Sequence, residues 1–415
     1  MSWLQRLLPV RQAAATKLAA TAAAAAADEA ALQARQGLDD IKAALAQKDW
    51  PAVVAGCRRV LVHRRDLPHV YAWLADGLTI DHDYWHNPEL CARLLADGTL
   101  REAIASWEKA IALGHVNDWS YLGLGHALTL TGDLDRAAHF LRLATDLRIQ
   151  IDFPEHFARH GSSGSRRGPD FLVIGATKCG TTSLYEYMRQ HPQVLPAVWK
   201  EIEYFRFPDR TRDWYLAHFP RMPDGPVRFL SGEASSCYLS LFDAKARVRA
   251  EFPDSKLIAI VRDPVDRTIS HVHHDRKLCG EARSVEAALT RELDLLERLA
   301  DPWRDADEYW RTERGYVWLS LYGYFLENWL TVFPKEQLLV LFSEDLFARP
   351  AATLSRVFEF VGLRDHALPK YDVFLKGEYD KNRSDPLRAR LARFFAPHNE
   401  RLERLLGRKL DWQRP

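Results

Sequence analysis

The chain has 415 residues, 47% of them hydrophobic and 11% aromatic, with 57 Lys and Arg against 56 Asp and Glu. That length exceeds one ordinary domain and predicts two; the apolar content excludes global disorder, and the near-balance of charge argues against nucleic acid as a partner. The five cysteines are odd in number, scattered and without a Cys-x-x-Cys spacing, which predicts a reducing, cytoplasmic setting, and no window of about 18 apolar residues predicts a transmembrane helix.

Residues 1–37 are low in complexity, with an alanine tract from Ala13 to Ala31. Alanine favours helix but buries little, so a frayed or helical terminal segment is expected. Arg6 and Arg11 ahead of the tract also admit a signal peptide, although Lys17 interrupts its apolar core. Residues 38–150 read as all-helical with an internal period. Gly98, Ala103, Trp107 and Ala110 recur 34 residues later as Gly132, Ala137, Leu141 and Ala144, a tetratricopeptide-like (TPR) spacing. Lys48-Asp49-Trp50-Pro51 opens an earlier helix, and Tyr71-Ala72-Trp73-Leu74 lies in the next. The His82-Asp83-Tyr84-Trp85-His86 insertion reads as a capping loop rather than a metal site, because Asn87-Pro88 breaks the helix that would align its histidines. A repeat buries its face only against neighbours, so this array can pack on the following domain or receive a protein partner. Residues 151–169, rich in Gly, Ser and Pro, read as a linker, and 170–415 as one α/β domain.

That domain opens with Phe171-Leu172-Val173-Ile174, an apolar run suited to a buried parallel strand. It breaks at Gly175-Ala176-Thr177-Lys178-Cys179-Gly180 and resumes at Thr181-Thr182-Ser183-Leu184 with helical spacing through Tyr187 and Met188. A glycine-bounded loop leading into a helix N-terminus aims N–H groups and the positive end of the helix dipole at a phosphate. The pattern is nearly G-x-x-x-x-G-K-[ST], but Thr181 follows the second glycine and the lysine has moved back to Lys178. A kinase or GTPase loop uses its lysine on the β/γ-phosphates and its hydroxyl on Mg²⁺; the displaced lysine suits a metal-free phosphosulfate donor better. A degenerate nucleotide-triphosphate loop remains the alternative on these residues alone.

The run from Gly175 to Leu184 resembles the 5′-phosphosulfate loop of sulfotransferases that use 3′-phosphoadenosine-5′-phosphosulfate (PAPS), most closely the lysine-containing heparan-sulfate type. The resemblance covers Pro169 to Trp412 and implies the sulfotransferase fold, a P-loop-like parallel sheet flanked by helices. It implies PAPS as donor, with no metal required, and donor contacts from Gly175, Thr177, Lys178, Cys179, Gly180, Thr181, Thr182 and Ser183. Lys200-Glu201 with the aromatic pair Tyr204-Phe205 matches the family's Lys-Glu segment, which makes Glu201 the implied general base on the acceptor. A carboxylate beside lysines can do this when partly desolvated; without the resemblance, the residues would read as a solvated charge cluster.

Trp214-Tyr215 fits either a platform for a sugar face or plain core packing. Gly232-Glu233-Ala234-Ser235 resembles an architectural turn at the donor pocket. Leu257-Ile258-Ala259-Ile260-Val261 reads as a second strand running into Arg262-Asp263-Pro264 and a helix, so that both binding segments lie at the carboxyl ends of parallel strands. Arg262 and Ser270 match the family's 3′-phosphate-binding arginine and serine. His274 stands where the heparan type has a histidine close to the acceptor, with a surface histidine as the alternative; His271, His273 and His274 point to different helix faces and make no metal site. Gln337-Leu338-Leu339-Val340-Leu341 reads as the final strand. Lys376, Gly377 and Lys381 match the loop that closes over the 3′-phosphate and adenine, although Ser384-Asp385-Pro386 departs from the family's ending.

These features predict a PAPS-dependent sulfotransferase behind a TPR-like helical domain, with catalytic candidates Lys178, Glu201 and His274. The acceptor implied is a hydroxyl or amine of a glycan or small molecule. The rivals are a P-loop kinase or NTPase and a TPR adaptor with an inactive α/β half.

Overall fold

The structure is a computed structural model describing residues 31–79, 88–160, 163–223, 228–299, 315–372, 374 and 386–412. The His82 to His86 insertion and residues 1–30 lie outside the described residues. Two compact units divide between Phe140 and Leu141.

The first unit is helical. Residues 31–47 form a helix that buries Ala34, Ile41 and Ala44 on one face, so the last turn and a half of the alanine-rich region does find a core. Asp49 caps Trp50–His63 by accepting the Ala52 N–H at 3.1 Å, with proline in its first turn. Pro68–Thr79, Pro88–Ala96, Thr99–Ala112 and Asp118–Leu130 follow. Gly98 and Gly132, one period apart, take the same left-handed backbone, φ 84° and 83°, ahead of Thr99–Ala112 and Leu134–Asp152. Glycine adopts that conformation without the Cβ clash other residues meet. Between the turns, Trp107 is buried and donates from Nε1 to Asp76 Oδ1 at 3.1 Å, and burial lifts the Asp76 carboxyl to about 6.

The second unit begins inside Leu134–Asp152. The segment read as a linker carries the helix Pro154–His160 and strand β1, Ser165–Arg166, which pairs antiparallel with β3, Arg221–Met222. Arg166 explains the order there, since its guanidinium is buried and donates to Asp146 at 2.5 Å and to the Phe219 carbonyl.

The main sheet has β2 (Phe171–Gly175), β4 (Gly232–Ala234), β5 (Lys256–Val261) and β6 (Leu338–Phe342), all parallel, in the order β4-β2-β5-β6. Every residue of β2 and all but Lys256 of β5 are buried, as expected of strands covered on both faces. The helices Thr181–Met188, Pro264–Leu278 and Ser343–Ala348 leave the carboxyl ends of β2, β5 and β6. Gly232-Glu233-Ala234, expected as a turn, is an edge strand; three residues are too few to show a period. Trp214 and Tyr215 are core, not an exposed sugar platform: Tyr215 is fully buried and stacks on Tyr204 with centroids 4.3 Å apart. Among the described residues no helix is long and apolar enough to cross a membrane.

Candidate active site

The loop from Gly175 to Gly180 turns at the carboxyl end of β2, and the Ala176 N–H ties it to the Ile260 carbonyl of β5 at 2.8 Å. Gly180 caps the following helix with φ 97°, a left-handed backbone that favours glycine, and a Cβ there would lie 3.2 Å from the Phe347 ring. The first-turn N–H groups of that helix have no intrahelical acceptor, the feature that makes a helix start an anion site. Thr181 is buried and Thr182 half-buried at this end. The Cys179 and Ser183 side chains are both buried against other elements. The Cys179 thiol sits in the core 3.6 Å from the Tyr322 hydroxyl, with burial pushing it up to about 11, and Ser183 Oγ accepts the Phe374 N–H at 3.2 Å.

Lys178 stands at the crest with φ 66°, and its Nζ lies 3.1 Å from His274 Nδ1, so the lysine and histidine expected from separate motifs meet. Burial lowers the Lys178 pKa, and the nearby cations Arg267, Arg262 and Lys200 push the same way against the opposing pull of Asp275. Lys178 therefore sits on a loop whose carbonyls are reached by two more cations, Arg262 and Arg267. Such a gathering favours an anion.

Arg262, at the end of β5, points Nη1 toward the Lys178 carbonyl at 3.5 Å and lies 3.7 Å from Asp266, which also accepts from Arg388 at 2.7 Å. Ser270 is buried two turns into Pro264–Leu278. Asp263 caps this helix by accepting from Val265 and Asp266, and its own N–H donates to Glu344 at 2.9 Å. Lys376, Gly377 and Lys381 lie outside the described residues.

Glu201 enters from the β4 side. Its N–H donates to the Ala234 carbonyl at 2.9 Å, its backbone takes φ 60°, and its carboxylate pairs with Lys200. Ser236 donates to that carboxylate from its N–H at 2.7 Å and from Oγ at 3.2 Å, while Thr177 Oγ1 donates to Ser236 Oγ at 3.2 Å. A short hydrogen-bonded chain thus links the phosphate loop to Glu201. Ser236 was not singled out from the sequence; its only signal is that it follows Gly-Glu-Ala-Ser.

Two further residues were missed. Arg267, fully buried, donates from Nε to the Thr177 carbonyl at 3.0 Å and from Nη1 to the Tyr316 carbonyl at 2.7 Å, which fixes the loop from behind. Glu233, also fully buried, accepts from Tyr215 at 2.9 Å, Tyr238 at 2.8 Å and Ser235 at 2.6 Å, and Ser235 Oγ in turn accepts the Glu203 N–H at 3.0 Å. Burial raises the Glu233 carboxyl to about 7 despite those bonds.

Fold and site define an α/β protein with a glycine-bounded loop at the carboxyl edge of a parallel sheet, hydrogen-bonded through Ser236 to the Glu201 carboxylate. The sulfotransferase domain matches residues 168–382, more than half of the chain, and the chain belongs to that family. It is 30% identical over 274 residues to human heparan sulfate glucosamine 3-O-sulfotransferase 3B1, covering 60% of this chain and 66% of the relative, just under two thirds of its length. With human heparan sulfate glucosamine 3-O-sulfotransferase 6 it is 30% identical over 273 residues, 60% of this chain and 75% of the relative. A solved sulfotransferase from Alicyclobacillus acidocaldarius is similar over 59% of this chain and 98% of its own, at 28% identity and a TM-score of 0.47.

Proposed function

We propose that this protein transfers a sulfonate group from PAPS to a hydroxyl or amine of a carbohydrate acceptor. The observation that carries the reading is a glycine-bounded loop that bears Lys178, is reached by Arg262 and Arg267, and is hydrogen-bonded through Ser236 to Glu201. Family membership supports the donor, and the relatives named for heparan sulfate glucosamine support a sugar acceptor.

The donor set fits a nucleotide with separate 5′ and 3′ phosphates. N–H groups of the loop and helix start receive the first; Arg262 and Ser270, one strand away, anchor the second. When bound, PAPS supplies the activated sulfonate and a phosphate leaving group. Glu201 takes the acceptor's proton, with its carboxylate oriented by both donors of Ser236. Lys178 offsets negative charge growing on the bridging oxygen, and its contact with His274 brings that imidazole to the same centre, where it shares the proton transfer. The loop bends, the ion pair and the N–H contact to β4 hold these groups in place before substrate arrives.

The 34-residue repeat of the helical unit supports a further role in receiving a protein partner, read out by co-purification with the full chain.

The test is thermal: 3′-phosphoadenosine 5′-phosphate should raise the melting temperature, whereas ATP with Mg²⁺ should not. Equal stabilisation by ATP would sink the donor assignment. Labelled PAPS with a panel of glycans and small alcohols then identifies the acceptor.

A further inference from the structure

Among the described residues, His274, Asp275 and Cys279 bring ligand atoms within 4.8 Å of one another. They share one helix end. His274 and Asp275 lie in the last turns of Pro264–Leu278, and Cys279 closes the helix with its N–H on the Asp275 carbonyl at 2.8 Å. The geometry points to a regulatory site for one zinc-class divalent cation, formed by the His274 imidazole, the Asp275 carboxylate and the Cys279 thiolate.

The chemistry suits that class. An imidazole, a thiolate and a carboxylate are the borderline donors that zinc takes, and three protein ligands leave a fourth position for water. Tetrahedral zinc, with bonds of about 2.0 to 2.3 Å, sets its ligand atoms about 3.3 to 3.6 Å apart, so small side-chain rotations close this cluster. His274 and Cys279 are both half-buried. Asp275 is already oriented: Oδ2 accepts from the Tyr316 hydroxyl at 3.1 Å, and that hydroxyl also reaches Glu281 at 3.0 Å, an outer shell of the kind that steers metal carboxylates. Charge does not forbid the site despite Lys178 and Arg267 nearby. Binding releases the thiol proton, so the dication, the thiolate and the carboxylate sum to zero, only one unit more positive than the metal-free site.

The consequence for turnover rests on the reading of Lys178 and His274 given above. His274 Nδ1 lies 3.1 Å from Lys178 Nζ, and a cation that draws the ring toward Cys279 withdraws it from the lysine. Metal occupancy then switches off proton sharing at the loop while leaving the phosphate-binding backbone in place.

Co²⁺ titration of the full chain tests the site without donor or turnover. A thiolate-to-cobalt charge-transfer band should appear, be displaced by Zn²⁺, and be lost in Cys279→Ser, whose cobalt affinity should fall more than about 100-fold, beyond the loss of an outer-shell partner. In the unaltered protein, Zn²⁺ should also protect Cys279 from iodoacetamide, read by peptide mass, which keeps the test valid if the variant does not fold. No band, a band that survives Cys279→Ser, or equal alkylation with and without Zn²⁺ overturns the site. Because nucleotide stabilisation is measured separately, failure here leaves the donor reading standing, and the reverse.

Discussion

Arg267 Nε donates to the carbonyl of Thr177 at 3.0 Å, joining the helix after β5 to the loop after β2 across 90 residues of sequence. Its Nη1 holds the Tyr316 carbonyl at 2.7 Å in the same buried space. Arg267→Met keeps much of the volume but takes the charged donor from two carbonyls, leaving the Tyr316 carbonyl only its contact with the Thr268 hydroxyl at 3.3 Å, at a cost of about 1 to 3 kcal/mol for an unmet buried acceptor. Urea denaturation should show a loss of at least about 2 kcal/mol, together with a smaller nucleotide-induced rise in melting temperature. Unchanged stability would remove Arg267 from its anchoring role.

Glu201→Gln keeps the side chain's size and the Ser236 contact to Oε1 while abolishing basicity. Affinity for 3′-phosphoadenosine 5′-phosphate should hold by calorimetry, while single-turnover rates fall by roughly two to four orders of magnitude. Full turnover in this variant would pass the base role to His274.

Arg262→Ala should act on binding first. Loss of a charge-assisted phosphate contact weakens nucleotide affinity by about 1.5 to 3 kcal/mol. The chemical step at saturating donor should change far less, and an equal loss in both would place Arg262 at the reacting centre instead.

Glu233 predicts a pH dependence of stability. Its carboxyl is raised from 4.5 to about 7 in the folded chain, chiefly by burial. A raised carboxyl contributes stability that is fully present below about 4.5 and is lost as pH rises through about 7. Glu233→Gln should abolish that component, so the difference in urea midpoint between wild type and variant should change across this window, by a free energy on the order of 3 kcal/mol. A difference that stays flat from pH 4 to 8 would refute the assignment.

Much of this was legible in local sequence because the site's central pieces are local. Strands β2 and β5 announce themselves as apolar runs, and the loop and Arg262 follow each directly; the observed bounds, Phe171–Gly175 and Lys256–Val261, differ by one residue from the runs expected. What escaped depends on contacts distant in the chain. Nothing near Arg267 reveals that it faces the loop rather than solvent, because an arginine one turn into a helix is ordinarily exposed. Glu233 is hidden for a related reason: it lies on an edge strand too short to show alternation, its partners Tyr215, Tyr238 and Ser235 all lie outside that strand, and a carboxylate reads as surface until the fold places it inside. Trp214 and Tyr215 carried equal claims as platform and core, and only the stacking of Tyr215 on Tyr204 decides between them.

The left-handed backbone at Lys178 has a consequence for engineering. A φ of 66° costs a non-glycine residue about 1 to 2 kcal/mol, and burial of the Lys178 ammonium among other cations adds to that strain. Replacement by glycine relieves both. A library selected only for heat resistance should therefore enrich Lys178→Gly, and on the role proposed for Lys178 those variants should be well folded and poor in turnover.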